Sequence, residues 1–251
     1  MNAKRYMVWK QFDGKRWQFE RWAIKEFRKA LLITVRPVTS ADSVEQAIGR
    51  VDYLDSNAIT KAFKDVYGKV GSYFAVQSQS ELKRLGGVFE IKSDMTVFDR
   101  LIRDWIVVYG ADRIEDIKEN TIKRLKIELQ RAFDNGDGIE VVARNIVKSG
   151  SGIADLKRAR VIARTEIISA SNKGSLDGAI DTGIPLKKEW VATMDNRTRD
   201  AHLSADGQKV LINELFQVDG DALEYPGDFT NGAKASNVIN CRCTQVYEPL
   251  T

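Results

Sequence analysis

Residues Gly183–Gly207 read GIPLKKEWVATMDNRTRDAHLSADG, and the fold class turns on them. Upstream the chain shows helical periodicity. From here on it shows strands and turns. Of four prolines, only Pro37 precedes this stretch, while Pro185, Pro226 and Pro249 fall within or after it. The turn dipeptides Asp206-Gly207, Pro226-Gly227 and Asn231-Gly232 lie in the same part. LKKEWVAT, with Trp190 inside it, reads as a strand, and TQVYEPL (Thr244–Leu250) as another. DNRTRDAHLSADG reads as a helix with Asp195 as N-cap and Gly207 as its stop, which sets Thr198 and His202 four apart on one face. The expected fold is a mainly α N-terminal region with a C-terminal α+β module.

Residues 38–184 contain no proline, which permits long helices. Val44, Ala47, Ile48, Val51 and Leu54 form an amphipathic stripe behind Ser40 or Ser43 as N-cap. A second helix is expected over roughly 56–80, on Ile59, Phe63, Val66, Val70 and Phe74. Gly86-Gly87 marks a linker or bend. The helical pattern resumes near Thr96, runs through Leu125 and Leu129, and stops at Asn135-Gly136. A short helix ends at Gly150-Ser151-Gly152, and another starts near Asp155. VWKQFDGKRWQF (Val8–Phe19) carries Asp13-Gly14 between aromatic flanks, a hairpin signal. A helix to about Thr34 is expected after it, broken by Pro37. The organisation expected is 1–90, a helical region with a basic aromatic N-terminal segment; 91–154, a further helical region; and 155–251, the α+β module.

The chain has 251 residues, 43% hydrophobic and 29% charged, with a net charge of +4. Such a balance suits a helical protein with a large solvated surface. The charge is uneven: Lys4, Arg5, Lys10, Lys15, Arg16, Arg21, Lys25, Arg28 and Lys29 crowd the first 30 residues against Asp13, Glu20 and Glu26. Trp9, Trp17 and Trp22 lie among them. Two uses follow for Lys10, Lys15, Arg16 and Arg21 with these tryptophans. One is contact with double-stranded DNA through phosphates and stacking rings. The other is an amphipathic helix docked on another protein with tryptophan anchors. No apolar run is long enough for a membrane span, and charges interrupt any signal-peptide core. Two cysteines one residue apart are not a disulfide framework. A soluble protein made in a reducing cytoplasm is expected.

Both cysteines, Cys241 and Cys243, lie in NVINCRC, and the single histidine, His202, lies upstream. Two thiolates and an imidazole are three ligands of a tetrahedral zinc site, with Asp195, Asp200 or water as the fourth. The spacing departs from the usual C-x₂₋₄-C. The alternative is packing: a hydrogen-bonded histidine and two small buried hydrophobes. The cofactor expectation is therefore none, or a structural zinc. A cysteine nucleophile with His202 as base lacks the flanking signature such enzymes carry. In RARVIARTE (Arg158–Glu166) the cations crowd one helix. The structural reading is an Arg164–Glu166 network tying that helix to the C-terminal module, and the other is an anion or catalytic site. With no phosphate loop, paired histidines or nucleophile elbow, a non-enzyme is expected.

Four elements in order, VIARTE (Val161–Glu166), WVATMDNRTRDAHLSADGQKV (Trp190–Val210), YPGD (Tyr225–Asp228) and NCRC (Asn240–Cys243), resemble the Mu F-like minor head proteins of tailed phages, also called head morphogenesis proteins. The resemblance covers about 155–251, extends weakly over 94–155, and leaves 1–90 without a match. It implies a minor capsid protein in the virion, at the capsid interior or portal vertex. Partners would be the portal or major capsid protein, with double-stranded DNA as a further partner during packaging or ejection. Its motif residues here are Arg164, Glu166, Trp190, Asp195, Pro226, Gly227, Asp228 and Asn240. Some relatives carry a toxin domain behind this module; the chain stops soon after NCRC, so none is expected. The alternatives are a DNA-binding ejection factor, or an enzyme (nuclease or transferase) using Arg164, Glu166 and His202.

Overall fold

The computed structural model describes residues 3–250, without the side chains of residues 3, 4 and 6, so the Lys4 side chain lies outside it. Helices fill the first two-thirds: α1 (Ala3–Thr39), α2 (Val44–Arg50), α3 (Asn57–Arg84), α4 (Met95–Tyr109), α5 (Ala111–Asn135), α6 (Ile139–Val147) and α7 (Leu156–Asp181). Then follow β1 (Leu186–Val191), α8 (Asp200–Ser204), β2 (Lys209–Leu211), β3 (Phe216–Val218), β4 (Asp221–Leu223), α9 (Ala235–Val238) and β5 (Thr244–Pro249). The mainly α region followed by an α+β module is borne out. No helix among the described residues is long and apolar enough to cross a membrane.

The start of the chain differs from expectation. Asp13-Gly14 makes no hairpin, and α1 runs unbroken through it. The buried positions Val8, Phe12, Arg16, Ala23, Phe27, Leu31, Val35 and Val38 recur at helical intervals across the dipeptide. Gly14 faces open space, so it costs the helix only about 1 kcal/mol relative to alanine. Pro37 does not break the helix at Arg36 either. It sits in the last turn, and the chain closes when Ser40 donates both its N–H (2.9 Å) and its hydroxyl (2.8 Å) to the Arg36 carbonyl. Ser43, rather than Ser40, caps α2 by accepting from Gln46 N–H.

The chain divides into two compact units. One comprises Arg21–Asp65 and Ile106–Ala163. It is helical, with an apolar core of Phe27, Leu31, Phe63, Leu125, Leu129, Val142 and Ile146. Phe27 meets Phe63 edge to face, centroids 5.4 Å apart. Each such side chain contributes about 1.5–3 kcal/mol by burial. Gly136 closes α5 in the left-handed conformation, its N–H on the Ala132 and Phe133 carbonyls, as Asn-Gly at that point predicts.

The other unit comprises Met1–Glu20, Val66–Trp105 and Arg164–Thr251. Here α3 and α7 touch backbone to backbone: a Cβ on Gly174 would overlap the Gly71 carbonyl, and one on Gly178 that of Ala75. Small residues four apart on both helices permit the approach. The antiparallel sheet β2-β1-β5 has Lys188 opposite Val210 on one side and Tyr247 on the other. β3 and β4 pair through Asp219-Gly220, both at positive φ (51° and 80°), the geometry of a tight hairpin turn.

Candidate functional site

The site is built on the unit that carries the C-terminal strands. β1 delivers Trp190 fully buried, and the chain then leaves the sheet as an irregular segment before α8. α8 is shorter than expected, because Arg199 in extended conformation occupies the N-cap position. Asp195 therefore does not cap the helix, and Thr198 does not share its face with His202. Asp195 is engaged instead by the Arg242 guanidinium, with Nη2 on Oδ1 at 2.6 Å and Nη1 on Oδ2. Arg197 N–H adds a bond to Oδ1 at 2.9 Å. A two-pronged charge-assisted pair outweighs a cap. These bonds, from Arg242 first, hold the Asp195 carboxyl well below the usual carboxylate range.

On the other side of Arg242, Cys241 and Cys243 point inward. The alternation follows from extended chain geometry, in which neighbours face opposite ways. The turn before them is made by Asn240 at φ 56°, a conformation asparagine tolerates better than most residues. His202 Nδ1 lies 3.3 Å from Cys243 Sγ and 3.7 Å from Cys241 Sγ. All three residues are buried. The imidazole stands perpendicular to the Trp190 ring (centroids 5.7 Å), and Trp190 meets Phe216 edge to face (5.3 Å). The hydrogen bond from Cys243, then that from His202, pulls the Cys241 thiol down, and the same contact together with burial pushes Cys243 up. A narrow pocket reaches the cluster from outside, lined by Thr193, Arg197, Thr198, Arg199, Asn240 and Arg242. The structure thus brings His202, Cys241 and Cys243 together and leaves Asp195 on Arg242.

VIARTE falls on α7. Arg164 and Glu166 form no network with each other: two residues apart on one helix, they point to different faces and meet different partners. Arg164 pairs with Glu20 (2.9 Å), and Glu166 accepts from Tyr67 Oη (2.8 Å). The residue between them ties this helix to NCRC, because Thr165 Oγ1 accepts Asn240 N–H at 3.0 Å. In YPGD, Asp228 is buried and organises its own turn by accepting from Glu224 N–H, Thr230 N–H and the Thr230 hydroxyl. Gly227, at φ 88°, lies against Ile168 and Ser169 of α7. The Pro226 carbonyl accepts from Asn172 Nδ2 (2.7 Å).

Asn172 was not legible in the sequence, yet it is the hub of the unit. Fully buried, it donates from Nδ2 also to the Cys243 carbonyl (3.1 Å). Its Oδ1 accepts from Arg16 Nη2 (2.6 Å) and Thr244 Oγ1 (3.2 Å). Arg16 further donates to Ser171 Oγ (2.6 Å) and to Thr244 Oγ1 (3.1 Å). Arg16 is therefore not a surface contact residue, as its place in a basic stretch suggested. It is 3% exposed, and burial lowers its guanidinium to about 10. Of the other N-terminal residues, Lys10, Trp17 and Arg21 are exposed, while Trp9 and Trp22 are half-buried. Lys15 lies over the Phe19 and Tyr73 rings.

Comparison with known proteins adds a lineage. Residues 123–246 match the family described as Phage Mu protein F like protein. Minor head protein GP7 of Bacillus phage SPP1 is 27% identical over 137 residues, 53% of this chain and 43% of that protein. The uncharacterized protein YqbB of Bacillus subtilis is 25% identical over 159 residues, 62% and 49% of the two chains. The NAD(+)–arginine ADP-ribosyltransferase EFV of Enterococcus faecalis is 38% identical over 96 residues, 37% of this chain and 19% of that one. The chain spans less than half the length of each of these relatives. No solved structure matches it.

Proposed function

Through residues 123–246 the chain belongs to the phage Mu protein F-like family, a family of phage head morphogenesis proteins, and on that premise we propose that it acts as a minor structural protein of a phage head. The observation that carries this reading is how the motif residues are used. Trp190, Asp228, Asn240 and the cysteines are spent on burial, turns and interior hydrogen bonds. Such a set specifies a module to be built into something larger. Its place is the virion, and its partners are the portal or major capsid protein. The helical unit offers exposed apolar side chains for such contacts, Val108, Ile127 and Phe133 among them.

An enzyme using Arg164, Glu166 and His202 is disfavoured by their engagements, with Glu20, Tyr67 and Cys243 respectively. The likeness to the transferase spans too little of that protein to bring its activity here. His202→Ala and Glu166→Gln separate the two readings in a phage complementation assay. A structural role predicts loss of folding or of incorporation into heads. Variants that fold, enter heads normally and fail only in a chemical step would overturn it.

A second reading, contact with double-stranded DNA, rests on one observation. Lys25, Arg28, Lys29 and Arg36 lie exposed on α1, Arg28 and Lys29 three and four residues after Lys25 and Arg36 seven after Lys29, beside Leu32 and Ile33. Phosphate contact through them predicts binding that falls steeply with salt and a shallower salt slope after Lys25→Ala and Arg28→Ala. An unchanged slope would remove this reading.

A further inference from the structure

In the buried cluster the two N···S edges have about the length a bound metal would give them. In a tetrahedral zinc site with Zn–S of about 2.3 Å and Zn–N of about 2.0–2.1 Å, the N···S edge is about 3.6 Å and the S···S edge about 3.8 Å. The two N···S separations here, 3.3 and 3.7 Å, bracket that edge. The three ligand atoms lie within 4.8 Å of one another.

We propose that His202 Nδ1, Cys241 Sγ and Cys243 Sγ bind a zinc ion, with a water or small anion from the adjoining pocket as fourth ligand. Charge supports the assignment. Two thiolates cancel the ion's charge and the imidazole is neutral, so with water in the fourth position the filled site is neutral and compatible with burial, and with a monoanion it carries a single negative charge facing the pocket. Sulfur with imidazole suits zinc and excludes magnesium or calcium, which take oxygen ligands. The carboxylate nearest in sequence, Asp195, is not available, since Arg242 occupies both its oxygens. Among the described residues no further histidine, cysteine or carboxylate joins the cluster. The fourth position therefore faces the pocket, where Arg199 and Arg242 favour an anion. Trp190 and the core behind it exclude water from the opposite side.

The consequence is a clamp. The ion would join α8 to the segment that leads into β5, holding Cys241 and the strand that follows it against the helix that carries His202.

The test uses the full chain, produced with zinc and dialysed against metal-free buffer, then analysed for metal. The site predicts stoichiometric zinc that Cys243→Ser removes. Because loss of metal in that variant could follow from loss of the fold, cobalt replacement in the wild-type chain gives an independent readout. Three-ligand binding predicts an intense sulfur-to-cobalt charge-transfer band with tetrahedral visible bands, and the open position predicts that added azide shifts them. Zinc far below stoichiometric, or cobalt bound without the sulfur band, would overturn the site and leave the cluster as packing. An azide-insensitive spectrum would overturn the open fourth position. None of these results bears on the head-protein reading, which has its own test.

Discussion

The two compact units differ in how much polarity they bury. The helical unit keeps most of its polarity outside: its core is mainly aliphatic and aromatic, its buried polar groups Thr34, Thr121 and Asp155 are few, and ion pairs such as Lys126–Asp52, with both side chains more than half exposed (52% and 62%), lie at the surface. The unit with the strands carries polarity inside. Arg16, Ser171, Asn172, Lys188, His202, Thr244 and Gln245 are all buried there and joined by hydrogen bonds between elements far apart in sequence. The difference teaches where each unit is vulnerable. The first tolerates polar change on its surface, whereas the second depends on polar partners within.

The largest effect should come from the hub. Asn172→Ala strips partners from Arg16, Thr244 and two carbonyls and leaves a buried guanidinium poorly solvated, for an expected loss of about 3–5 kcal/mol in urea unfolding. A loss below about 1 kcal/mol would mean that the interior polarity is incidental.

Lys188 gives the next test. It is buried against the Glu224 carbonyl (2.7 Å), and desolvation pushes it down to about 8 from an ordinary 10.5. Between those values the unfolded chain holds the proton that the folded chain has released, so stability should rise with pH across that window. The rise should reach at most about 3 kcal/mol, measured as the difference between wild type and Lys188→Met. A flat difference would contradict the burial.

Two glycines sharpen the comparison at smaller scale. Gly220→Ala forces a Cβ into φ 80° and should destabilise the hairpin unit by about 1–2 kcal/mol. Gly14→Ala should instead stabilise by about 1 kcal/mol, because it fills an exposed helical position with open space around it. Destabilisation by Gly14→Ala would restore the hairpin reading of that stretch. Smallest of all, Lys126→Ala on the helical unit should change stability by no more than about 0.5 kcal/mol in thermal unfolding.

Those two Asp-Gly pairs also show what the sequence made legible. Asp219-Gly220 turns a hairpin that went unread, since its strands are three residues each, too short to display alternation. Asp13-Gly14 suggested a hairpin that does not exist. The helical period there runs through Arg16, and an arginine in the core position disguises the stripe. Long apolar stripes, the Asn135-Gly136 stop, and the strands around Trp190 and Tyr247 were all readable, because burial writes apolar residues at a fixed period. The rarity of cysteine and histidine made their cluster readable too. Asn172 and Thr165 were not, because a buried polar residue looks like a surface one until its distant partner is known.

The most direct test of the central claim is to quantify this chain by mass spectrometry in purified heads from the phage that encodes it, before and after DNA filling. A head protein predicts a constant, low number of copies per particle in both, resistant to high-salt washing. Its absence from both particles, with the chain recovered only free, would contradict the account.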